Sequence, residues 1–483
     1  MNSRRAFLRG SLFAATTAWA QPKPPNVLFI VVDDLRCRIG CFGDPIAKTP
    51  NIDGLAARGI RFDRAYCQFP LCNPTRSSVL SGRYPTSTRV FDNNTLLVLE
   101  GDQLAMPDYF ARNGYATDGF GKVHHAFNRG MRKGEPKPTT PAAAANWFTP
   151  DERARQESES PAYWDTAHSP YRNMRVENPK QYDSANKIGP LPDNDRGLDA
   201  QIADQAVDSL GKLASGGKPF FLAVGFHKPH VPLNAPKQYF DMYDPARMPL
   251  PADFDSEPRA IEGVPPLEFR QNIDLYAARS FSSREAREAI RAYYACISYT
   301  DAQIGRVLAQ LKESGMDDNT IVVMWGDHGW HLSEKGMWAK GTLFEVSARG
   351  PMIIVDPRKR TAGQASKRVV QYLDMYPTLA DLCGLPRAPW LEGVSLKPLL
   401  ENPKAEWDRP AYTVAVRNWS IGKSVRTERW RYTEWDEGKR GSALFDHDAD
   451  PDEMANLAAD PAHAGTVAAM RRLLREGPIA RRA

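Results

Sequence analysis

The stretch Val27-Leu28-Phe29-Ile30-Val31-Val32-Asp33-Asp34 frames the reading of the whole chain. An uninterrupted apolar run this short, rich in β-branched residues, suits a strand buried on both faces. It stops on two adjacent carboxylates. The pattern recurs three times. Residues 115–120, interrupted by Asp118, lead into Gly121-Lys122-Val123-His124-His125. Residues 220–225 lead into Phe226-His227-Lys228-Pro229-His230, and 320–325 into Gly326-Asp327-His328-Gly329. Helical stretches are predicted at 51–58, 107–112, 199–214 and 284–314. Alternating strands and helices imply an α/β fold with a mostly parallel sheet flanked by helices. Ligands in such sheets bind beyond the carboxyl ends of the strands, so the four polar clusters are expected at one edge.

A fifth stretch, Leu71-Cys72-Asn73-Pro74-Thr75-Arg76-Ser77-Ser78-Val79-Leu80-Ser81-Gly82-Arg83, carries the most specific chemistry. Asn73-Pro74 reads as a helix start, with Asn at the N-cap and Pro at the first helical position. Cys72 is then expected just outside the helix, where the dipole and free N–H groups favour negative charge. Asp33, Asp34 and Asp327 are the makings of a hard divalent-cation site. His328 is a fourth candidate ligand, less usual on calcium than an oxygen. Arg76, Lys122 and Lys340 supply fixed positive charge. His125 and His230 are candidate acid–base groups. One metal among several cations suits a tetrahedral oxyanion ester. A two-metal phosphatase would need a second carboxylate and His cluster, and lysines occupy the comparable places.

The 71–83 segment matches the sulfatase signature, in which C-x-P-[ST]-R is followed by Leu, a small polar residue, Gly and Arg. The resemblance extends over roughly residues 26–460 through the four polar clusters. Trp338-Ala339-Lys340 makes it similar to the iduronate-2-sulfatase branch of the type I sulfatases. The resemblance implies an alkaline-phosphatase-like fold and a Cys72 oxidised to formylglycine by a maturation enzyme. It implies calcium held by Asp33, Asp34, Asp327 and His328 with an oxygen from modified Cys72. It assigns Arg76 and Lys122 to steadying the nucleophile and the sulfate. His125 becomes the base that collapses the sulfated intermediate, and His230 and Lys340 face the leaving oxygen. His124 competes with His125 for its role, and His227 with His230. The implied substrate is a sulfated carbohydrate, with a 2-O-sulfated uronate as the branch-level expectation. Competing readings are a phosphonate monoester or phosphodiester hydrolase of the same superfamily, and a non-catalytic sulfoglycan-binding protein should Cys72 stay unmodified.

The 483 residues allow one large domain and a small one, expected at 22–400 and 407–483. Short aromatic and β-branched runs at 411–416, 420–426, 430–435 and 442–445 predict a small antiparallel sheet, closed by a helix near 466–475. Composition is ordinary, with 42% hydrophobic and 25% charged residues, and the net charge of +5 is spread along the chain. That balance argues against a nucleic-acid binder and suits an anionic substrate. No apolar run beyond the N-terminus is long enough to span a bilayer. Residues 1–20, with Ser3-Arg4-Arg5-Ala6-Phe7-Leu8 and an Ala18-Trp19-Ala20 cleavage site, resemble a twin-arginine signal peptide. Export by that machinery to the periplasm would carry a folded chain, so oxidation of Cys72 would precede it. Six cysteines in this length form neither a disulfide scaffold nor a zinc pattern. Two irregular stretches, about 128–196 and 254–283, either pad the surface or wall a substrate pocket.

Overall fold

The computed structural model describes residues 23–125, 131–132 and 188–479, apart from 193, 273, 277, 278, 360 and 419. The signal-like segment and most of the 128–196 stretch lie outside the described residues. The chain runs β1 (Asn26–Val32), α1 (Pro50–Ala56), β2 (Ile60–Tyr66), α2 (Cys72–Ser81), α3 (Met106–Arg112), β3 (Ala116–Gly121) and α4 (Leu198–Ala214). There follow β4 (Phe220–Phe226), α5 (Ser283–Glu313), β5 (Thr320–Gly326), β6 (Arg349–Gly350), β7 (Met352–Val355), β8 (Gln364–Gln371) and α6 (Met375–Leu382).

These strands form one sheet in the order β6-β2-β7-β5-β1-β4-β3, with β8 also paired to β2. β1 pairs in parallel with β4 and β5, and β3 in parallel with β4. The four strands marked by the sequence are therefore neighbours that end at one edge. Only β6 and β7 run against their partners.

β1 is central because both of its faces are apolar. Leu28, Ile30 and Val32 pack with Leu210 of α4 and Ile297 of α5. Val27, Phe29 and Val31 pack on the other side with Phe110 of α3 and Leu379 of α6. Each such fully buried side chain contributes about 1.5–3 kcal/mol. The long α5 starts at a capping box, in which the Ser282 side chain accepts the Glu285 N–H and the Glu285 carboxylate accepts the Ser282 N–H. Gly225 near the end of β4 permits a close approach: a Cβ there would lie 2.1 Å from the Lys122 carbonyl carbon. The Lys122 N–H donates to Gly225 O at 2.8 Å, which seats the end of β3 beside that of β4.

The tail forms β9 (Ala411–Arg417), β10 (Ser420–Arg426), β11 (Trp430–Trp435) and β12 (Ser442–Asp446), an antiparallel meander. Helix α7 (Ala464–Glu476) lays Val467, Met470 and Leu474 on Val425, Tyr432 and Leu444. This sheet is tied to the segment before Cys72. The Val414 N–H donates to Gln68 O and the Thr413 hydroxyl to Cys67 O, both at 2.8 Å. The 254–283 stretch is irregular apart from a short 3-10 turn at Pro266–Glu268. It is packed against the segment that carries Lys340. Asn272 accepts the Trp338 N–H at 2.6 Å and donates to Gly336 O at 3.2 Å. The six cysteines are all free thiols, Cys37 and Cys41 included. Among the described residues, no helix is long and apolar enough to cross a membrane.

Candidate active site

Helix α2 begins two residues earlier than the sequence suggests. Leu71, with extended backbone (φ −150°, ψ 141°), is the N-cap, and Cys72 is the first helical residue. Asn73 is not the cap. Its amide donates to Asp92 O and Thr95 O, both at 2.8 Å, so tertiary partners outcompete the local one. The thiol still lies at the helix N-terminus, fully buried. It sits 3.4 Å from His328 Nε2 and 3.4 Å from Lys340 Nζ. Burial and Asp33 push the thiol up, but Lys122, Lys340 and His328 outweigh them and hold it well below its ordinary value.

Around this thiol the strand ends converge. Asp33 and Asp34 follow β1. Asp34 adopts a left-handed backbone (φ 58°), a strained state that persists only where neighbours fix it. Its N–H donates to Asp327 Oδ1 at 3.0 Å, and its carbonyl accepts the Tyr293 hydroxyl at 2.7 Å. Lys340 Nζ lies 2.6 and 2.8 Å from the two Asp34 carboxylate oxygens. Lys122 donates to Asp33 Oδ2. Burial raises the Asp33 carboxyl, yet Lys122, His230 and Arg76 hold it well below the usual carboxylate range.

Arg76 is entirely buried, and its nitrogens are engaged within the protein. They donate to Asp327 Oδ2 at 2.9 and 3.0 Å, to Asp33 Oδ1 at 3.1 Å, and to the carbonyls of Lys122 and Val123. This guanidinium therefore orients the carboxylates. Its charge also acts on the Cys72 thiol, the group that the resemblance has it steady.

The histidines separate. The His328 ring packs its Nδ1 2.9 Å from Gly329 O and turns Nε2 toward Cys72 and Asp34. Burial lowers its pKa, but Asp327 and Cys72 raise it to about 9. His125 faces the Cys72 side chain and is pulled down, chiefly by burial, so it is neutral at neutral pH. His230 Nε2 is 4.0 Å from Asp33 and 3.9 Å from Asp34. Burial and Lys340 oppose its protonation, but the two aspartates prevail and raise it. His227 instead lies 3.8 Å from Asp199, so of the competing pair His230 is the one turned to the carboxylates.

The donor set fits a divalent cation. Asp33, Asp34, Cys72 and His328 each offer one ligand atom within 4.8 Å of the others, and all four residues are buried. Asp327 borders this group, with Oδ1 3.7 Å from His328 Nε2, but its oxygens are engaged by backbone N–H groups and by Arg76. The charges of Asp33, Asp34 and Asp327 are matched by those of Arg76, Lys122 and Lys340. A bound divalent cation would leave an excess of positive charge that an anionic ester or a released dianion would neutralise.

Some supporting residues had no signal in the sequence. Asp199, in the first turn of α4, accepts the N–H groups of His227 (2.8 Å) and Lys228 (2.9 Å) and so fixes the loop that carries His230. In sequence it reads only as an acidic helix-start residue. Tyr293, equally unmarked, braces Asp34 from α5, whereas Thr75, which donates to Asp327 O at 3.0 Å, belongs to the 72–76 signature.

Comparison with known proteins agrees with this geometry. The sulfatase family model matches residues 25–385. A second model, described as N-sulphoglucosamine sulphohydrolase, C-terminal, matches residues 333–478. A sulfatase of Formosa agariphila is 31% identical over 479 residues, covering 93% of this chain and 86% of its own. Iduronate 2-sulfatase of Homo sapiens is 30% identical over 491 residues, covering 85% of this chain and 84% of its own. In fold, the solved phosphonate monoester hydrolase of Agrobacterium radiobacter aligns with a TM-score of 0.73 at 23% identity, over 94% of this chain and 95% of that one.

Proposed function

The chain belongs to the sulfatase family and is a sulfuric ester hydrolase; on that premise we propose that it removes sulfate from a sulfated sugar, a 2-O-sulfated uronate, through a formylglycine made from Cys72. The observation that carries this reading is the Cys72 thiol at a helix start, 3.4 Å from both Lys340 and His328, within a cluster of buried carboxylates and cations. The likeness to human iduronate 2-sulfatase supports the uronate.

Formylglycine at residue 72 would supply, when hydrated, a pair of hydroxyls, one nucleophilic toward sulfur and one able to release the bound sulfate. Calcium supplies Lewis acidity at neutral pH, and Asp33, Asp34, His328 and an oxygen of modified Cys72 would hold it, with Asp327 alongside. The other residues divide the work. Arg76 keeps Asp33 and Asp327 aimed into the site. Lys122 and Lys340 place two ammonium groups where charge develops on the sulfuryl oxygens. His125, neutral through burial, takes the proton at the Cys72 position. His230, whose protonated form Asp33 and Asp34 favour, is placed to donate to the leaving oxygen. A plain thiol or hydroxyl at residue 72 would form a stable adduct, so the oxidation is integral to turnover.

The basic leader at 1–20 supports oxidation by a formylglycine-generating enzyme before twin-arginine export to the periplasm. Intact mass of the Cys72 peptide, with turnover of sulfate and phosphate esters measured side by side, tests the reading. Formylglycine and a preference for sulfate are expected. An unmodified thiol in active enzyme, or a preference for phosphonate or phosphodiester, would overturn it.

A further inference from the structure

Two arginines that the reaction does not use meet at the flank of the site. Arg270, on the irregular 254–283 stretch, donates from Nη1 to Lys340 O at 2.7 Å. Arg417, at the end of β9, donates to Gly341 O at 2.8 Å and to Phe269 O at 3.0 Å. Both guanidiniums thus gather on the backbone of one dipeptide, Lys340-Gly341, whose lysine ammonium lies 3.4 Å from Cys72 Sγ. Gly341 marks how tight the place is. A Cβ there would come 2.6 Å from Arg270 Nη1 and 3.9 Å from the carbonyl of Pro70, two residues before Cys72.

Both arginines are half-buried, and among the described residues neither has a carboxylate at ion-pairing distance. Asp274 acts on Arg270, and Glu268 on Arg417, only from farther away. Glu268 is itself turned to Trp435, whose Nε1–H it accepts at 2.9 Å. Burial and the neighbouring Arg270 charge lower Arg417 to about 10. Two like charges crowded together and partly desolvated repel each other, and an anion between them relieves the repulsion. A guanidinium has five N–H donors in a planar fork. The carbonyl bonds use one on Arg270 and two on Arg417, so donors remain.

We propose that Arg270 and Arg417 form a subsite for a second anionic group of the substrate, the carboxylate of a sulfated uronate, beside the centre that takes the sulfate. The planar fork matches a carboxylate in two-pronged geometry. The subsite deepens the sulfatase reading and rests on it. It comes from two segments remote in sequence, both of which close on the Lys340 loop.

The test compares kcat and KM for a 2-O-sulfated uronate disaccharide, a disulfated hexosamine, a monosulfated neutral sugar and a small aryl sulfate. Wild type is set against Arg270→Gln, Arg417→Gln and the corresponding Lys variants. The Gln variants should lower the uronate-to-neutral ratio of kcat/KM about 10- to 100-fold, mainly through KM, the scale of a lost charged hydrogen bond. The Lys variants should recover part of it. Calorimetry on the Cys72→Ala protein gives a readout without turnover: the uronate should bind more tightly than the neutral sugar, and Arg270→Gln in that background should remove the difference. An equal loss on all four substrates, through kcat, would overturn the proposal and leave the arginines as pins of the Lys340 loop. A loss confined to the disulfated hexosamine would replace the carboxylate by a second sulfate and overturn it in that form. Wild type that carries formylglycine yet cleaves no sulfate ester would refute the sulfatase reading, and equal calorimetric affinities would then refute the subsite separately.

Discussion

Among the described residues two clusters of charge, one buried and one partly buried, offer a metal-like set of side chains. One is the reactive centre, with Asp33, Asp34, Cys72 and His328; the other, at the junction with the C-terminal sheet, has Glu345, His447 and Glu453. They differ in the cation that answers each carboxylate. At the junction, Arg431 lies 2.5 Å from Glu345 and 2.7 Å from Glu453, and Arg426 lies 3.3 Å from Glu345. His447 Nε2 adds a contact to Glu453 at 3.1 Å. Rigid guanidinium forks occupy the carboxylates there, and the result is a lock. At the reactive centre, Asp34 and Asp33 face the ammonium groups of Lys340 and Lys122, while Arg76 works from behind. An ammonium on a flexible stem can swing from a carboxylate to an incoming anion, whereas a fork shared between two acids cannot. Composition alone does not separate a site from a strut; the partner does.

The widest contrast should come from Cys72→Ala. Turnover of any sulfate ester is expected to vanish, while the melting temperature stays within about 2 °C of wild type. Activity surviving in that variant would remove Cys72 from the chemistry. Next in size are Asp33→Asn and Asp34→Asn, which should lose the cation and all but a trace of activity. Chelation should do the same to the wild type, with recovery on adding calcium, and elemental analysis of active enzyme that finds zinc without calcium would break this part of the comparison. Lys340→Ala should lower kcat about 10²- to 10³-fold, as for the loss of one transition-state charge contact, with single-turnover kinetics as the check.

The junction should answer in stability. Glu345→Gln leaves buried arginines short of charge and should cost about 3–5 kcal/mol in denaturant unfolding, with calcium content unchanged. A change in calcium content would mean that the two clusters are not separate. The smallest effect is on acid stability. Burial raises Glu345 and Glu453, but Arg426 and Arg431 for the first, and Arg431 and His447 for the second, hold both below the ordinary 4.5. Groups lowered in this way stabilise the fold fully above about pH 4.5, and the contribution is withdrawn as pH falls through their folded values. Wild type should therefore lose melting temperature below that pH more steeply than Glu345→Gln, and parallel curves would count against it.

Much of the site was readable because its pieces are local. A strand buried on both faces declares itself as an apolar run such as 27–32, and the residues after it must emerge at the sheet edge. The four strands therefore announced Asp33, Lys122, His230 and Asp327 together, and the Cys72 signature added the nucleophile. What stayed hidden depends on contacts between segments far apart in the chain. Asn73 looked like a cap until Asp92 and Thr95 claimed its amide. Arg76 read as fixed positive charge, and only the fold shows its donors on two buried aspartates. Asp199, Arg270 and Arg417 have no motif, since each acts on a loop that only the folded chain brings to it.

The sequence by itself determined the strand–helix alternation, the edge at which the polar clusters gather, and the kind of chemistry they can do. Those follow from local periodicity and from the short-range geometry of strand ends and helix starts. The tertiary structure alone decided which cation meets which carboxylate, which of the competing histidines turns inward, and where the spare arginines converge. Such choices rest on distances between residues tens to hundreds of positions apart, and Coulomb interactions in a buried site are set by those distances rather than by order along the chain.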